Sequence, residues 1–328
     1  MNKPIILVEN LRHVYRRRNT ERPALDGLDF AVRQGEIFGL LGPNGAGKTT
    51  AIRILTTILK PLSGRAEVAG YDVVRQPLEV RRRIAAVLQE NAVETLLSVC
   101  DNLLLYGYLH GLSRRQIKPG LEEVVDLLEL GEVLPQRAQD LSGGYKRRLQ
   151  VAKALMVDTP VLFLDEATSG MDPLIKRRVM QAIRDRAARG RSVLLTTQLL
   201  DEAESLCDHM VLMDRGKALA AGKLRELRSL RQKMFLIQIS FAKPEAEISP
   251  ALEELRPKSL EVRDGEFHLT VEGSEDEWIR NMARISERWP LSHLEIRGAS
   301  LEQIFLELYG RSQADAAVSP GQEQEEEK

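Results

Sequence analysis

Three short stretches of the chain carry residue types suited to phosphate chemistry. The first is GPNGAGKTT, residues 42–50. It fits G-x-x-x-x-G-K-[ST] at Gly42, Gly47, Lys48 and Thr49, follows an apolar strand and opens a helix. Glycines at such a turn let the backbone N–H groups of Pro43-Asn44-Gly45-Ala46-Gly47 and the residues after it close around phosphate oxygens, Pro43 itself having none to give. The helix N-terminus adds positive potential. Lys48 can reach the terminal phosphates, and the Thr49 hydroxyl, with Thr50 beside it, can ligate Mg²⁺.

The second stretch, VLFLDE (161–166), ends in two carboxylates. Asp165 suits the shell of a Mg²⁺ ion, and Glu166 suits the orientation or deprotonation of an attacking water. Taken alone, the pair reads equally well as solvated strand-end charge. The third stretch is LSGGYKRRLQ (141–150). The Ser142 hydroxyl and the amides of Gly143 and Gly144 form a second anion site at a helix start. In isolation the same residues read as a simple helix cap. Gln198, in TTQLLDEAE (196–204), sits where an apolar run hands over to an acidic helix start. It is either an ordinary turn residue or a group facing this chemistry.

These residues need elements to position them. EIFGLL (36–41), PVLFLD (160–165) and RSVLLTT (191–197) are short apolar runs followed by turns and helix-like sequence. Such runs suit buried strands of a mainly parallel sheet with helices on both faces. Residues 1–230 read as alternating strands and helices. Ile52, Leu55, Ile58 and Leu59 predict a helix after the glycine-rich turn. Residues of about 92–157 read as a mostly helical subdomain, with VVDLLELG (124–131) ending a helix at its glycine. Residues 231–310 read as a small α+β domain. It contains the strand MFLIQISF (234–241), a hairpin turning at Asp264-Gly265, and capping boxes at Ser274/Glu277 and Ser300/Gln303. Trp278 and Trp289 belong to its core or to an interface rather than to a ligand site. Residues 311–328, ending QEQEEEK, read as a disordered acidic tail.

The chain has 328 residues, enough for two domains, and 43% apolar residues. With 47 basic and 48 acidic residues the net charge is −1, which gives no support for nucleic-acid binding through a basic surface. Cys100 and Cys207 lack metal-type spacing and read as two reduced, partly buried thiols. The apolar run LLLYGYLHGL (103–112) is short of a membrane span and is broken by Gly107, His110 and Gly111. The chain is expected to be soluble and intracellular, with any membrane role coming through a partner.

Together these segments resemble the nucleotide-binding subunit of ATP-binding-cassette (ABC) proteins over about residues 5–225. The resemblance implies a P-loop ABC ATPase core with an inserted helical subdomain and a small C-terminal α+β domain, an α/β fold. It implies ATP and Mg²⁺ as cofactors, and two copies sandwiching two ATP molecules head to tail. Each phosphate loop then faces the partner's Ser142–Gly144 segment. Tyr15 falls where the family stacks an aromatic on adenine, and it reads otherwise as a surface or core tyrosine. Gln89, in VLQE, falls at the family's glutamine loop, which touches Mg²⁺ and the attacking water. Asp172, in SGMDP (169–173), falls in its dimer-contact loop.

Gln198 departs from the pattern, which has a histidine facing the γ-phosphate. Glutamine can donate and accept hydrogen bonds but does not titrate. It acts as a neutral sensor with Glu166 as the base, or the position is vacated. The wording of residues 24–50, with SLEQIFLELYG (300–310), is similar to ATPase subunits of bacterial daunorubicin/doxorubicin-type multidrug exporters. That implies a separate membrane permease as partner, a place at the cytoplasmic face of the inner membrane, and a dimer-contact or regulatory role for the C-terminal domain. The alternatives are a soluble ABC ATPase without a transport role and an ATP-binding regulatory module with little turnover.

Overall fold

A computed structural model describes residues 3–17, 20–90, 92–229, 234–242, 248–263, 265–298, 301 and 304–305. The chain divides into two compact units, Met1–Gly222 and Lys223–Lys328; the shift in composition near residue 230 falls just beyond that division.

In the first unit, β1 (Ile6–Arg17) and β2 (Thr20–Val32) pair antiparallel, and β3 (Ile37–Leu41) leads through the glycine-rich loop into α1 (Lys48–Leu55). β4 (Ser63–Val68) and β5 (Tyr71–Asp72) join β1, giving a four-stranded sheet of order β2-β1-β4-β5. After α2 (Pro77–Arg81) and β6 (Ile84–Val87) come α3 (Val99–Leu109), α4 (Arg114–Leu127) and α5 (Gly143–Met156). β7 (Val161–Asp165), α6 (Pro173–Ala188), β8 (Ser192–Thr197), α7 (Leu200–Leu206), β9 (His209–Asp214) and β10 (Lys217–Gly222) follow. The second sheet has the order β10-β9-β3-β8-β7-β6, parallel throughout except for the edge strand β10.

This parallel sheet is apolar on both faces because its strands alternate between two cores. Leu162, Leu164, Val193 and Leu195 pack on one side with α3, α4, α5 and α6. Phe38, Leu40, Phe163 and Leu194 pack on the other with α1 and the antiparallel sheet. Successive side chains of a strand point to opposite faces, so a continuous apolar run fills both layers.

Three expectations are corrected. Residues 6–32 form a long, bulged antiparallel pair instead of alternating strands and helices, and its mixed polar and apolar residues carry no clean period. The first helix stops at Leu55; Thr57 takes a φ of 66°, and Ile58 beyond it is exposed. Gly107 lies inside α3, where a Cβ would strike Ile117 of α4, so it permits close helix packing. Gly131 is not the terminator of α4. The left-handed residue there is Glu129, with φ 54°.

The second unit holds α8 (Leu224–Ser229), β11 (Met234–Phe241), α9 (Ile248–Glu253), β12 (Ser259–Arg263), β13 (Glu266–Glu272), α10 (Glu275–Arg288) and β14 (Leu291–Gly298). Its antiparallel sheet runs β12-β13-β11-β14. Ser274 caps α10 by accepting from the Glu277 N–H at 3.2 Å. Trp278, Met282, Ile285 and Trp289 pack with Ile237, Ile239, Leu269 and Val271 in its core. Asp264, the Ser300/Gln303 pair and the acidic tail lie outside the described residues.

Candidate active site

The loop between β3 and α1 is shaped by two glycines that no other residue could replace. At Gly47 φ is 103°, and an added Cβ would run into the Ala24 carbonyl; at Gly42 it would run into that of Met213. Gly47 caps α1 without a side-chain hydrogen bond, which leaves first-turn N–H groups available to an anion. Lys48 is buried and folds back, its Nζ donating to the carbonyls of Gly42 (2.6 Å) and Pro43 (2.9 Å). Burial pulls its pKa below the ordinary lysine value, opposed by the charges of Glu166 and Asp165.

The parallel register brings the second motif to the same place. Asp165 ends β7 and is fully buried. Its Oδ1 accepts from the hydroxyls of Thr196 (2.5 Å) and Thr49 (3.3 Å), whereas its Oδ2 has no partner in the protein. A buried carboxylate oxygen without a partner, beside a threonine hydroxyl, fits a hard divalent cation such as Mg²⁺. The described residues hold no group of three or more His, Cys, Asp or Glu side chains fit to hold a metal ion.

Glu166 takes a left-handed backbone, φ 50°, an uncommon state for a residue with a side chain. Its N–H donates to both the carbonyl and the hydroxyl of Thr196 at 3.1 Å. Its Oε1 accepts from Gln198 Nε2 at 2.7 Å. Gln198 is exposed, and in this state it is occupied with Glu166.

A cavity of about 680 Å³ collects much of this constellation. It is lined by Tyr15, residues 44–50, Gln89 and Glu166. Arg22, Pro23, Ala24 and Arg215 complete the wall, and sequence reasoning missed these four. They come from β2 and from the turn after β9, and none carries a local motif. Tyr15 is 40% exposed, and its hydroxyl lies 3.4 Å from Thr50 Oγ1.

Ser142, Gly143, Gly144 and Asp172 are not among the residues lining this cavity. Ser142 is the exposed N-cap of α5, accepting from the Tyr145 N–H at 3.4 Å. A Cβ at Gly143 would meet nothing within 4 Å, so nothing within the chain requires glycine there. Asp172 caps α6: its Oδ1 accepts from the Ile175 N–H (3.0 Å) and its Oδ2 from Arg148 Nη2 (2.6 Å). The Ile175 N–H first, and Arg148 after it, hold this carboxylate below the ordinary aspartate range.

Comparison with known proteins agrees with the geometry. Residues 25–169 match the family model described as ABC transporter. A daunorubicin/doxorubicin resistance ATP-binding protein of Streptomyces peucetius is 36% identical over 92% of this chain and 92% of its own length. A Nod factor export ATP-binding protein I of Paraburkholderia xenovorans is 35% identical over 90% of this chain and 95% of its own. Among solved structures, an ATP-binding subunit of an ABC transporter, 27% identical, superimposes with a TM-score of 0.65 over 69% of this chain and 92% of that one. A dimeric ABC cassette in a post-hydrolysis state bound to ADP and Pi has the same fold, with a TM-score of 0.62 at 23% identity over 67% of this chain and 99% of its own. The chain therefore belongs to the family of ABC transporter ATP-binding proteins and is an ABC ATPase.

Proposed function

We propose that this chain is the ATP-hydrolysing subunit of a bacterial ABC exporter, working as a homodimer at the cytoplasmic face of the membrane and driving a separate permease. The relatives' names, one of daunorubicin/doxorubicin resistance and one of Nod factor export, support the export direction. Among the described residues no helix is long and apolar enough to cross a membrane, and this reading assigns the transport path to the permease.

One observation carries the dimer reading. Ser142, Gly143 and Gly144 sit at an exposed helix start away from the cavity holding Lys48, Thr49, Gln89 and Glu166. A second copy in head-to-tail arrangement would bring its Ser142–Gly144 amides onto the phosphates held by the first. Asp172, exposed at the start of α6, belongs to the same contact surface.

Within the cavity, Tyr15 would stack on the adenine, and the loop amides and the α1 N-terminus would take the phosphates. Lys48 would release the Gly42 and Pro43 carbonyls and turn its ammonium to the β- and γ-phosphates. Mg²⁺, held through Thr49, Asp165 and Gln89, supplies charge neutralisation at the phosphates when bound. Glu166 accepts the proton of the attacking water. Because Gln198 donates to Oε1, the other carboxylate oxygen is left to receive that water. Gln198 thus aims the base, and on this reading its amide would also sense the γ-phosphate.

The reading is tested with Glu166→Gln. It is expected to bind ATP, lose nearly all turnover, and accumulate as an ATP-dependent dimer in sedimentation analysis. Normal turnover in this variant would remove the assigned base. Affinity purification from the native host's membranes tests the partner. Recovery of only soluble proteins would favour an ABC ATPase without a transport role.

A further inference from the structure

The three consecutive cations of α5, Lys146, Arg147 and Arg148, have different fates. Lys146 donates to the Gln139 carbonyl and Arg148 reaches Asp172. Arg147 alone turns inward between the strand end and the glutamine loop. A guanidinium carries five N–H donors, and here each has an acceptor. Nε donates to the Ala167 carbonyl (3.1 Å), Nη2 to those of Asp165 and Glu166 (2.7 Å each), and Nη1 to the Leu88 carbonyl (2.8 Å) and Gln150 Oε1 (2.7 Å).

The same face of α5 continues the pattern. Gln150 Nε2 donates to the Glu90 carbonyl at 3.0 Å, and Lys153 Nζ to that of Ala92 at 2.6 Å. Side chains at 147, 150 and 153, one helical turn apart, thus hold the carbonyls of 88, 90 and 92. Both neighbours of Gln89 are fastened to α5, while Gln89 itself is exposed in the cavity wall. The backbone of Glu166 is held from two sides, by Thr196 at its N–H and by Arg147 at its carbonyl. That grip sits on the residue in left-handed conformation, where a free chain would relax. Burial lowers the pKa of Arg147, and the charges of Asp165 and Glu166 oppose this.

We infer that Arg147 is a positioning residue for hydrolysis: it locks Glu166 and Gln89 to the helix whose N-terminus carries Ser142–Gly144, so that engagement of that terminus is felt at the chain's own water-activating carboxylate. The inference rests on the reading of Glu166 as the base. Lysine has three donors on a single nitrogen and cannot reproduce a planar five-point grip.

The test uses the purified full-length chain with Mg·ATP. Arg147→Lys is expected to lower kcat by about 10- to 100-fold, the scale of a small misplacement of a reacting group. Affinity for a fluorescent ATP analogue should stay within about twofold, since none of the five hydrogen bonds of Arg147 goes to the phosphate loop. In a Glu166→Gln background the same substitution should cost little more in single-turnover rate, because both act through one group. Added guanidinium at millimolar concentration should restore part of the turnover of Arg147→Ala.

Unchanged kcat in Arg147→Lys overturns the inference. So does an equal further loss in the Glu166→Gln background, or a fall in nucleotide affinity that matches the fall in kcat; those results belong to a structural brace. If Arg147→Ala does not fold, the lysine variant and its double-mutant cycle decide alone. Normal turnover of Glu166→Gln by itself would remove the base assignment and this inference with it. Loss in Glu166→Gln with none in Arg147→Lys would remove the inference only.

Discussion

Lys48 is a cation that the fold desolvates before any ligand arrives. Its pKa in the folded chain lies below the ordinary 10.5, so folding favours the neutral amine. The sign follows: this group's contribution to stability rises as pH climbs through its folded pKa and is lost as pH falls through it. Phosphate binding needs the opposite form. ATP affinity is therefore expected to decline with rising pH, starting below the range in which ordinary lysines titrate. Fluorescent-nucleotide titration from neutral to alkaline pH checks this; affinity that stays flat to pH 10.5 would contradict it. Lys48, Thr49, Asp165 and Glu166 were legible from the sequence because each belongs to a contiguous motif whose spacing fixes its geometry. Arg147 was not. Its carbonyl acceptors lie 18 to 20 and 59 residues away, and nothing local separates it from Lys146 and Arg148. The bond from Gln198 to Glu166 likewise needed the parallel register of β7 and β8 to appear.

At the scale of elements, two glycines at helix starts have opposite reasons to exist. Gly47 is required by the chain itself, through its positive φ and the Ala24 carbonyl. Gly143 is not, because a methyl group there meets open space. Gly47→Ala is expected to destabilise the first unit by about 1–3 kcal/mol or more, the scale of local backbone strain. Gly143→Ala is expected to stabilise it by about 0.4–1 kcal/mol while lowering ATP turnover, because in the proposed dimer the close approach there would be to the nucleotide held by the partner copy. Urea denaturation alongside ATPase assays separates the two; a destabilised Gly143→Ala would remove the argument. The buried strands were readable as apolar runs because both faces of the parallel sheet are covered. The β1–β2 pair was not, since its register shifts at several points and its residues alternate only in pieces. Helix ends were misplaced where a non-glycine residue, Thr57 or Glu129, takes the left-handed conformation that sequence reasoning reserves for glycine.

At the scale of the whole molecule, each unit has its own core and the cassette has two. Phe163, fully buried in the middle of β7, ties the parallel sheet to α1 and the antiparallel sheet. Phe163→Ala is expected to cost the first unit about 3–5 kcal/mol and to lower its calorimetric transition, leaving that of the second unit in place. A single transition that moves as one would show the units unfolding together.

The two tryptophans of the chain, Trp278 and Trp289, are both packed in the core of the second unit, and the cassette has none. Tryptophan emission therefore watches the second unit alone. Protein fluorescence excited at the indole band would stay silent while the ATPase core melts, and would change on nucleotide addition only if closure of the cassette is transmitted to the C-terminal domain. The molecule thus carries an unlabelled optical probe of whether the second unit responds to nucleotide at all.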